Sequence, residues 1–520
     1  MEREIFGRRP EHSIDPSLDR IADLVRLLGD PQAAYPVVHI TGTNGKTSTA
    51  RMTEALLRAR GLRTGLFTSP HLSSVRERIC IDGRPASPAR FIDAYEEIAP
   101  YLELVDSRQQ APLSFFEVLT GMAFSIFADA PVDVAVIEVG MGGTWDNTNV
   151  ADGAVAVITP ISLDHTRYLG ATVEEIATDK AGIIKPGAIA VLGQQPPAAA
   201  EVLLHRAAQV GATVAREGME FGVLGRELAV GGQQITLRGL LGIYDGLFLP
   251  LFGAHQAANL ACAVAAVEAF ARAEPVGQPA AAALGLDADP DVADPDAGDL
   301  GNEDEDQAAG SRPGVGGEGP TPLDLGLVRG AVAGMTSPGR LEVVRHSPLV
   351  IVDSAHNPAG MAASMTAVSE AFSFSDLTAV LAVSADKDIP AILDEMEPVA
   401  GHLVATSYSA ARSMPAAELA DLAQGVFGPD RVTVAERLDD AIETAVTLAD
   451  EASAISDDGL GGAVVLITGS VVTAGEARLL LVGRRPGSDG AELEGAGPGD
   501  AALDEPAAAS GGGWSDGGHS

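Results

Sequence analysis

One stretch constrains this chain more than any other. A short strand-like run, VVHI (37–40), passes directly into TGTNGKTS and then into a helix predicted over Thr49–Arg60. Strand, glycine turn and helix in that order open a βαβ unit, which requires a parallel sheet with helices on its faces. The turn itself, Gly42, Thr43, Asn44, Gly45, Lys46 and Thr47, is a shortened phosphate-loop pattern. Glycines let backbone N–H groups turn onto phosphate oxygens, and the helix that follows adds a favourable dipole. Lys46 is placed to reach the β- and γ-phosphates, and the Thr47 hydroxyl to face the nucleotide's Mg²⁺. Taken alone, the loop implies nucleotide binding and names no reaction.

The alternation continues along the chain. GLFTS (65–69), VAVIEVG (134–140), VAVITPI (155–161) and AIAVLG (188–193) read as strands, and QAANLACAVAAVEAFARA (256–273) as a helix. Ile14, Leu18, Ile21, Leu24 and Leu27 give residues 13–30 a helical apolar spacing. Residues 274–320 are Pro, Gly, Ala and acid with almost no large apolar side chain, which predicts a disordered linker insertion. LVIVDS (349–354), LTAVLAVS (377–384), HLVATS (402–407) and AVVLITG (463–469) then alternate with helices. The expected fold class is therefore α/β. A phosphate-loop parallel-sheet domain (1–273) is followed by the insertion (274–320), a smaller Rossmann-like α/β domain (321–485) and a disordered tail (486–520).

Composition supports these layers. Hydrophobic residues make up 46% of the chain and aromatics only 4%, so Ala, Val and Leu build the core. The net charge of −38 argues against a nucleic acid or an anionic membrane as partner. Two cysteines, Cys80 and Cys262, make neither a disulfide framework nor a zinc site, and no run is long and apolar enough to span a bilayer. A reduced, cytoplasmic protein is expected.

Only four lysines occur, Lys46, Lys180, Lys185 and Lys387, against thirty arginines. A lysine amine can lose its proton and react, whereas guanidinium does not. Glu138 ends an apolar strand, Asp164 and His165 follow the next, and Ser69 and His71 follow another. A carboxylate at the end of a parallel strand beside a phosphate loop can hold a metal. Asp164–His165 also reads as a plain helix start with a core histidine.

These residues carry a resemblance. GTNGKTS, TSPHLSSVRERI, EVGMGGTWDNTNV, ISLDHTRYLG, DKAGIIKPG, GAHQAANL, PGRLE, DSAHNP, ADKD and ITGS stand in the order seen in the bacterial folylpolyglutamate synthase/dihydrofolate synthase family of the Mur-ligase superfamily. The likeness covers most of residues 10–480. It implies an ATP-dependent carboxylate–amine ligase that adds L-glutamate to dihydropteroate and/or reduced folates through an acyl phosphate. It implies that Gly45, Lys46 and Thr47 hold the triphosphate, that Thr47, Ser69 and Glu138 serve one Mg²⁺, and that His165 serves a second. Lys180 is expected to be carbamylated and to bind that second metal, or else to remain a free ammonium beside Asp179. Asn259, Arg340, Asp353 and His356 are expected to close over ATP from the two domains, with Lys387 at the glutamate or interdomain site. For the pterin-bearing substrate the candidates are Ser114, Phe115, Phe116 and Glu117, with Trp145, Asp146 and Asn147; Trp145 fits either stacking or the core. The Ser17–Arg20 segment is a further cover for that pocket. Where the family carries Glu-Lys, this chain has Asp179-Lys180, and the family's aromatic before PGR is missing. The family also suggests a monomer. A muramyl-peptide ligase is a second reading, and a non-catalytic nucleotide-binding protein a third.

Overall fold

A computed structural model describes residues 2–10, 15–273, 321–455 and 462–482. The expected insertion and tail lie outside the described residues. The first sheet contains β1 (Val37–Thr41), β2 (Thr64–Phe67), β3 (Ile79–Ile81), β4 (Arg84–Pro85), β5 (Val134–Glu138), β6 (Gly153–Ile158), β7 (Ile189–Leu192) and β8 (Thr213–Arg216). Their order across the sheet is β4-β3-β2-β5-β1-β6-β7-β8. β1, β2 and β5 are buried at every position, the mark of strands covered on both faces. All pairings are parallel except those of β3 and β4, an antiparallel edge that the apolar runs did not reveal. The central strand β1 lies between β5 and β6, and the chain leaves it toward opposite sides of the sheet. The loop after it opens into the crevice where α/β sheets bind ligands.

Strand ends fall short of the apolar runs for local reasons. β6 stops at Ile158, because Pro160 has no N–H to continue the ladder and its carbonyl instead accepts from the Thr43 N–H (3.0 Å). The first-turn helix begins at Lys46 rather than Thr49, since Gly45 (φ +90°) already makes the turn. The helix expected over 13–30 spans Asp19–Leu27, and residues 11–14 lie outside the described residues.

A second, three-stranded antiparallel sheet follows: β9 (Gly222–Ala229), β10 (Gly232–Arg238) and β11 (Ile243–Leu249). It encloses the helix Ala254–Arg272, which is apolar all round because it is covered by β6 and β7, by the helix Lys46–Ala59 and by β9 and β10. The chain after residue 320 returns to this same core. Leu323, Val328, Val332 and Met335 pack into it, and the Leu323 N–H donates to the Tyr244 hydroxyl (2.9 Å), which donates to buried Glu268 (2.6 Å). The expected boundary at residue 321 therefore shifts: the helix Leu325–Ala333 belongs with the first core, because its apolar face finds its partners there.

The last sheet contains β12 (Glu342–His346), β13 (Leu349–Val352), β14 (Leu377–Leu381), β15 (His402–Ala405), β16 (Val432–Val434) and β17 (Val464–Thr468), ordered β12-β13-β17-β14-β15-β16. Only β12 runs antiparallel. Helices on both faces bury two apolar layers around it. Loops following β13 and β14 meet loops following β1 and β6, and the site lies at that meeting.

Candidate active site

The phosphate loop is shaped by what its glycines touch. A Cβ on Gly42 would sit 1.8 Å from the Thr159 hydroxyl, and one on Gly45 2.4 Å from the Asn259 side-chain oxygen. Thr43 fastens the loop, its N–H donating to Pro160 and its hydroxyl to the Ser162 carbonyl (3.0 Å each). Lys46 Nζ folds back over the loop and donates to the carbonyls of Gly42 (3.1 Å) and Thr43 (3.0 Å). Burial pushes its amine down, and the charges of Glu138 and Asp164 oppose that push. Asn44 and Asn357 exchange amide hydrogen bonds (3.1 Å each) across the two domains.

Glu138, at the end of β5, is buried. It accepts from the Thr47 hydroxyl (2.8 Å) and the Ser69 N–H (3.2 Å). Burial raises its carboxyl pKa, with the nearby Lys46 charge pulling the other way. Among the described residues no three His, Cys, Asp or Glu side chains gather into a metal cage. A single buried carboxylate with a hydroxyl beside a phosphate loop nevertheless fits Mg²⁺, which takes few protein ligands and completes its shell with phosphate and water.

Asp164, after β6, is where the domains join. Its carboxylate accepts from Lys387 Nζ (2.6 Å), the Asn357 amide (3.0 Å) and the His165 N–H (2.8 Å), with His356 Nε2 at 3.6 Å. Burial alone would raise this carboxyl; the His356, His165 and Lys387 groups outweigh it and hold Asp164 far below the usual carboxylate range. Burial likewise pushes His165 down to about 3, leaving its imidazole neutral with a lone pair to offer. His165 has φ +50°, a left-handed backbone that starts the short helix Thr166–Leu169. Lys180 is buried, and its Nζ donates to the Gly42 carbonyl (2.9 Å), the same oxygen that Lys46 engages. Burial and the Lys46 charge bring its amine down to about 7. Asp179 makes no ion pair with it; that carboxyl lies against Gly142, and burial raises it to about 6.

From this junction a cleft of about 440 Å³ runs between the domains. Ser114, Phe116, Glu117, Trp145, Asp146 and Asn147 all line it. Phe115 does not: it stacks on Phe6 (5.3 Å between centroids) under the Arg78 guanidinium, because neighbours in a helix point about 100° apart. Ser114 and Glu117 cap their helix reciprocally, and Glu117 also accepts from Arg20 (2.8 Å). Asp146 is buried, with oxygens taken by Met141 N–H (2.9 Å) and Thr148 (2.5 and 3.0 Å), so it shapes the wall. Trp145 packs partly on an apolar cluster and also lines the cleft.

The residues expected around the nucleotide are placed as follows. Asn259 lies against Gly45 and donates to Gln256 (3.2 Å). The Arg340 charge acts on Lys46 and on Glu138. Asp353 has both oxygens engaged, by Leu341 N–H (3.1 Å), Ala355 N–H (3.0 Å) and Ser364 (2.7 Å), so it fixes the loop that presents His356. Sequence reasoning missed Asp164 as the junction, and Arg9, Asp386, Arg412 and Ser470 as cleft residues. Asp164, Asp386 and Ser470 stand inside motifs that were read as wholes, while Arg9 and Arg412 lie in irregular stretches with no spacing to mark them.

A glycine loop, a buried carboxylate at a strand end and a cleft closed by a second α/β domain define an ATP-dependent ligase of the Mur-ligase type. The Mur ligase middle domain pattern matches residues 111–267, and that of the Mur ligase glutamate ligase domain matches residues 339–471. The chain is 47% identical over 502 residues to the dihydrofolate synthase/folylpolyglutamate synthase of Mycobacterium tuberculosis, covering 94% of each. It is 32% identical over 467 residues to the folylpolyglutamate synthase of Lacticaseibacillus casei, covering 89% of this chain and 94% of that one. The crystal structure of the Mycobacterium tuberculosis folylpolyglutamate synthase complexed with ADP and AMPPCP matches with a TM-score of 0.79 at 46% identity, covering 92% of this chain and 97% of that one. An FPGS–AMPPCP–folate complex matches with a TM-score of 0.73 at 29% identity, over 93% and 98%. The chain belongs to the dihydrofolate synthase/folylpolyglutamate synthase family.

Proposed function

We propose that this chain forms an amide between L-glutamate and a pterin-linked carboxylic acid, dihydropteroate and/or a reduced folate, with ATP converted to ADP and phosphate. The substrate carboxylate attacks the γ-phosphorus, and the bond to the β-bridging oxygen breaks. The glutamate amine then attacks the acyl carbon and phosphate leaves. An unactivated carboxylate is a poor electrophile, so the protein's work is positioning and charge neutralisation.

The observation that carries this reading is a cleft lined by both domains, with His165 and Lys387 among its lining residues. Its first-domain wall presents Phe116 and Trp145, flat apolar faces suited to a heterocycle. Its second-domain wall comes from the domain with the glutamate-ligase pattern. Lys46 lies over the loop that would cradle the phosphates. Thr47, Ser69 and Glu138 would hold one Mg²⁺, and His165 with a carbamylated Lys180 a second. Ions held there would offset the repulsion between the triphosphate and the attacking carboxylate.

Two features support the carbamate on Lys180. Its amine is brought down to about 7, so much of it is unprotonated at neutral pH. Its Nζ lies within the phosphate loop rather than on Asp179. The neutral nitrogen adds to CO₂, a proton leaves that nitrogen, and carboxylate-like oxygens result.

The test is a substrate panel. ATP turnover is measured with glutamate plus dihydropteroate, glutamate plus tetrahydrofolate, or a muramyl precursor with its amino acid, and products are identified by mass. Mass gain of one glutamyl residue on a pterin substrate is the expected result. Product only from the muramyl arm would overturn the reading, as would turnover from none.

A further inference from the structure

The strand β6 ends in a turn whose backbone cannot continue the sheet. Pro160 supplies no N–H, so the polar groups on either side of it need partners from elsewhere. The side-chain amide of Gln195 supplies them. Its Nε2 donates to the carbonyls of Ile158 (3.2 Å) and Thr159 (3.1 Å), and its Oε1 accepts from the Ile161 N–H (3.1 Å). Gln195 follows β7, whose own ladder ends with the Gly193 N–H donating to the Ile158 carbonyl (2.9 Å). The side chain therefore carries the pairing of β6 with β7 past the proline. The neighbouring backbone is fixed too, since the Gln194 N–H donates to Glu217 (2.8 Å) in the loop after β8.

The far side of the same turn holds the phosphate loop. The Pro160 carbonyl accepts from the Thr43 N–H (3.0 Å). The Ser162 N–H donates to the Thr43 hydroxyl, which donates to the Ser162 carbonyl (3.0 Å each). Thr159 is buried, and a Cβ on Gly42 would meet its hydroxyl at 1.8 Å and its carbonyl oxygen at 2.9 Å. That carbonyl is one of the two that Gln195 engages. Asp164 and His165 follow directly after the turn. Among the described residues that line the cleft Gln195 does not figure, so its influence on the reacting groups passes through this turn.

We propose that Gln195 is a positioning residue for phosphoryl transfer, a role that rests on the phosphate-loop function proposed above. It holds the turn 158–162 against Gly42 and Thr43, and it sets where Asp164 and His165 begin. One amide offers two N–H donors and an acceptor, which is the set that the interrupted strand end lacks. Without it, two carbonyls and an N–H at a largely buried strand end lose their partners, and an unpaired buried polar group is costly. The turn then shifts, and the phosphate loop loses the surface that shapes it.

The test uses the full chain with two variants. Q195M keeps the length of the side chain and removes all three hydrogen bonds; Q195N is milder, keeping the amide one methylene short. ADP affinity is measured by calorimetry, and kcat and KM by steady-state turnover. Q195M should raise the ADP Kd about tenfold and lower kcat at saturating substrates about tenfold, the size expected when several hydrogen bonds to buried backbone are lost. The KM for L-glutamate should stay within about twofold, because that interaction is not the one disturbed. Q195N should show the same changes at smaller size. T43V removes the hydroxyl that grips Ser162, and in that background Q195M should change the ADP Kd by about threefold or less, because both residues act through one turn. An ADP Kd within about twofold of the parent in every folded variant overturns the proposal. So does the same proportional change in both backgrounds, which would make the two residues independent, and so does an equal rise in the KM of all three substrates, which would mark a general loosening. A parent that binds no ADP overturns the phosphate-loop reading and this role with it.

Discussion

Lys46 and Lys180 end on the same Gly42 carbonyl, one reaching it from the phosphate loop and the other from the end of the helix Val173–Lys180. Two ammonium groups sharing one oxygen repel, which is one reason the Lys180 amine is so easily freed of its proton. Replacing Lys180 by Ala should lower turnover by about a hundredfold or more. Acetate or formate at high concentration should restore part of it by supplying carboxylate oxygens. Turnover of the variant that no short carboxylate improves would leave a free ammonium as the role of Lys180. His39, in the middle of β1, gives a pH effect of a different kind. Burial, then the Lys185 charge, pushes it down to about 3. Between about 3 and 6.5 the unfolded chain takes up a proton that the folded one refuses, so stability falls as pH falls through this window. One such group contributes a slope of up to about 1.4 kcal/mol per pH unit. H39Q keeps a donor for Thr148 and removes the titration, so its thermal midpoint should fall less steeply than the parent's between pH 6.5 and pH 5. Parallel slopes would show that other groups govern acid sensitivity.

At the scale of elements, the parallel strands were legible because strands buried on both faces are unbroken apolar runs. The sheet of β9, β10 and β11 was not. Leu224, Leu228 and Ile243 are exposed there, and glycines interrupt the alternation, so apolar residues do not mark its inner face. The same limit applies inside the candidate site. The glycine loop, Glu138 and His165 were visible as residue types at strand ends. The pairing of Asp164 with Lys387 joins positions 223 apart in sequence, and no local pattern encodes such a contact. Phe115 and Phe116 were indistinguishable until the helix set their directions. The helix Leu325–Ala333 likewise shows its allegiance only in its packing. Val332 is fully buried in the first core, so V332A should lower stability by about 1.5–3 kcal/mol. Urea unfolding reads this directly, and a midpoint indistinguishable from the parent's would remove that helix from the core.

At the scale of the molecule, two α/β bodies meet along Asp164, Asn44–Asn357 and the contact of Ser48 with Ser337 (3.2 Å). The chain crosses between them after Met335, not at the insertion, whose two flanks both pack in the first core. Replacing residues 280–318 by a short Gly/Ser linker should therefore leave kcat and KM within a few-fold of the parent, since loop-closure entropy changes slowly with length. Loss of soluble, folded protein would instead assign that stretch a structural part. The central claim is that the phosphoryl group passes to the substrate's own carboxylate before the amine attacks. Substrate labelled with ¹⁸O in that carboxylate tests it most directly, with the released phosphate analysed by mass. One ¹⁸O carried into phosphate for each amide formed is the expected result; phosphate free of label, with amide accumulating, would contradict the account.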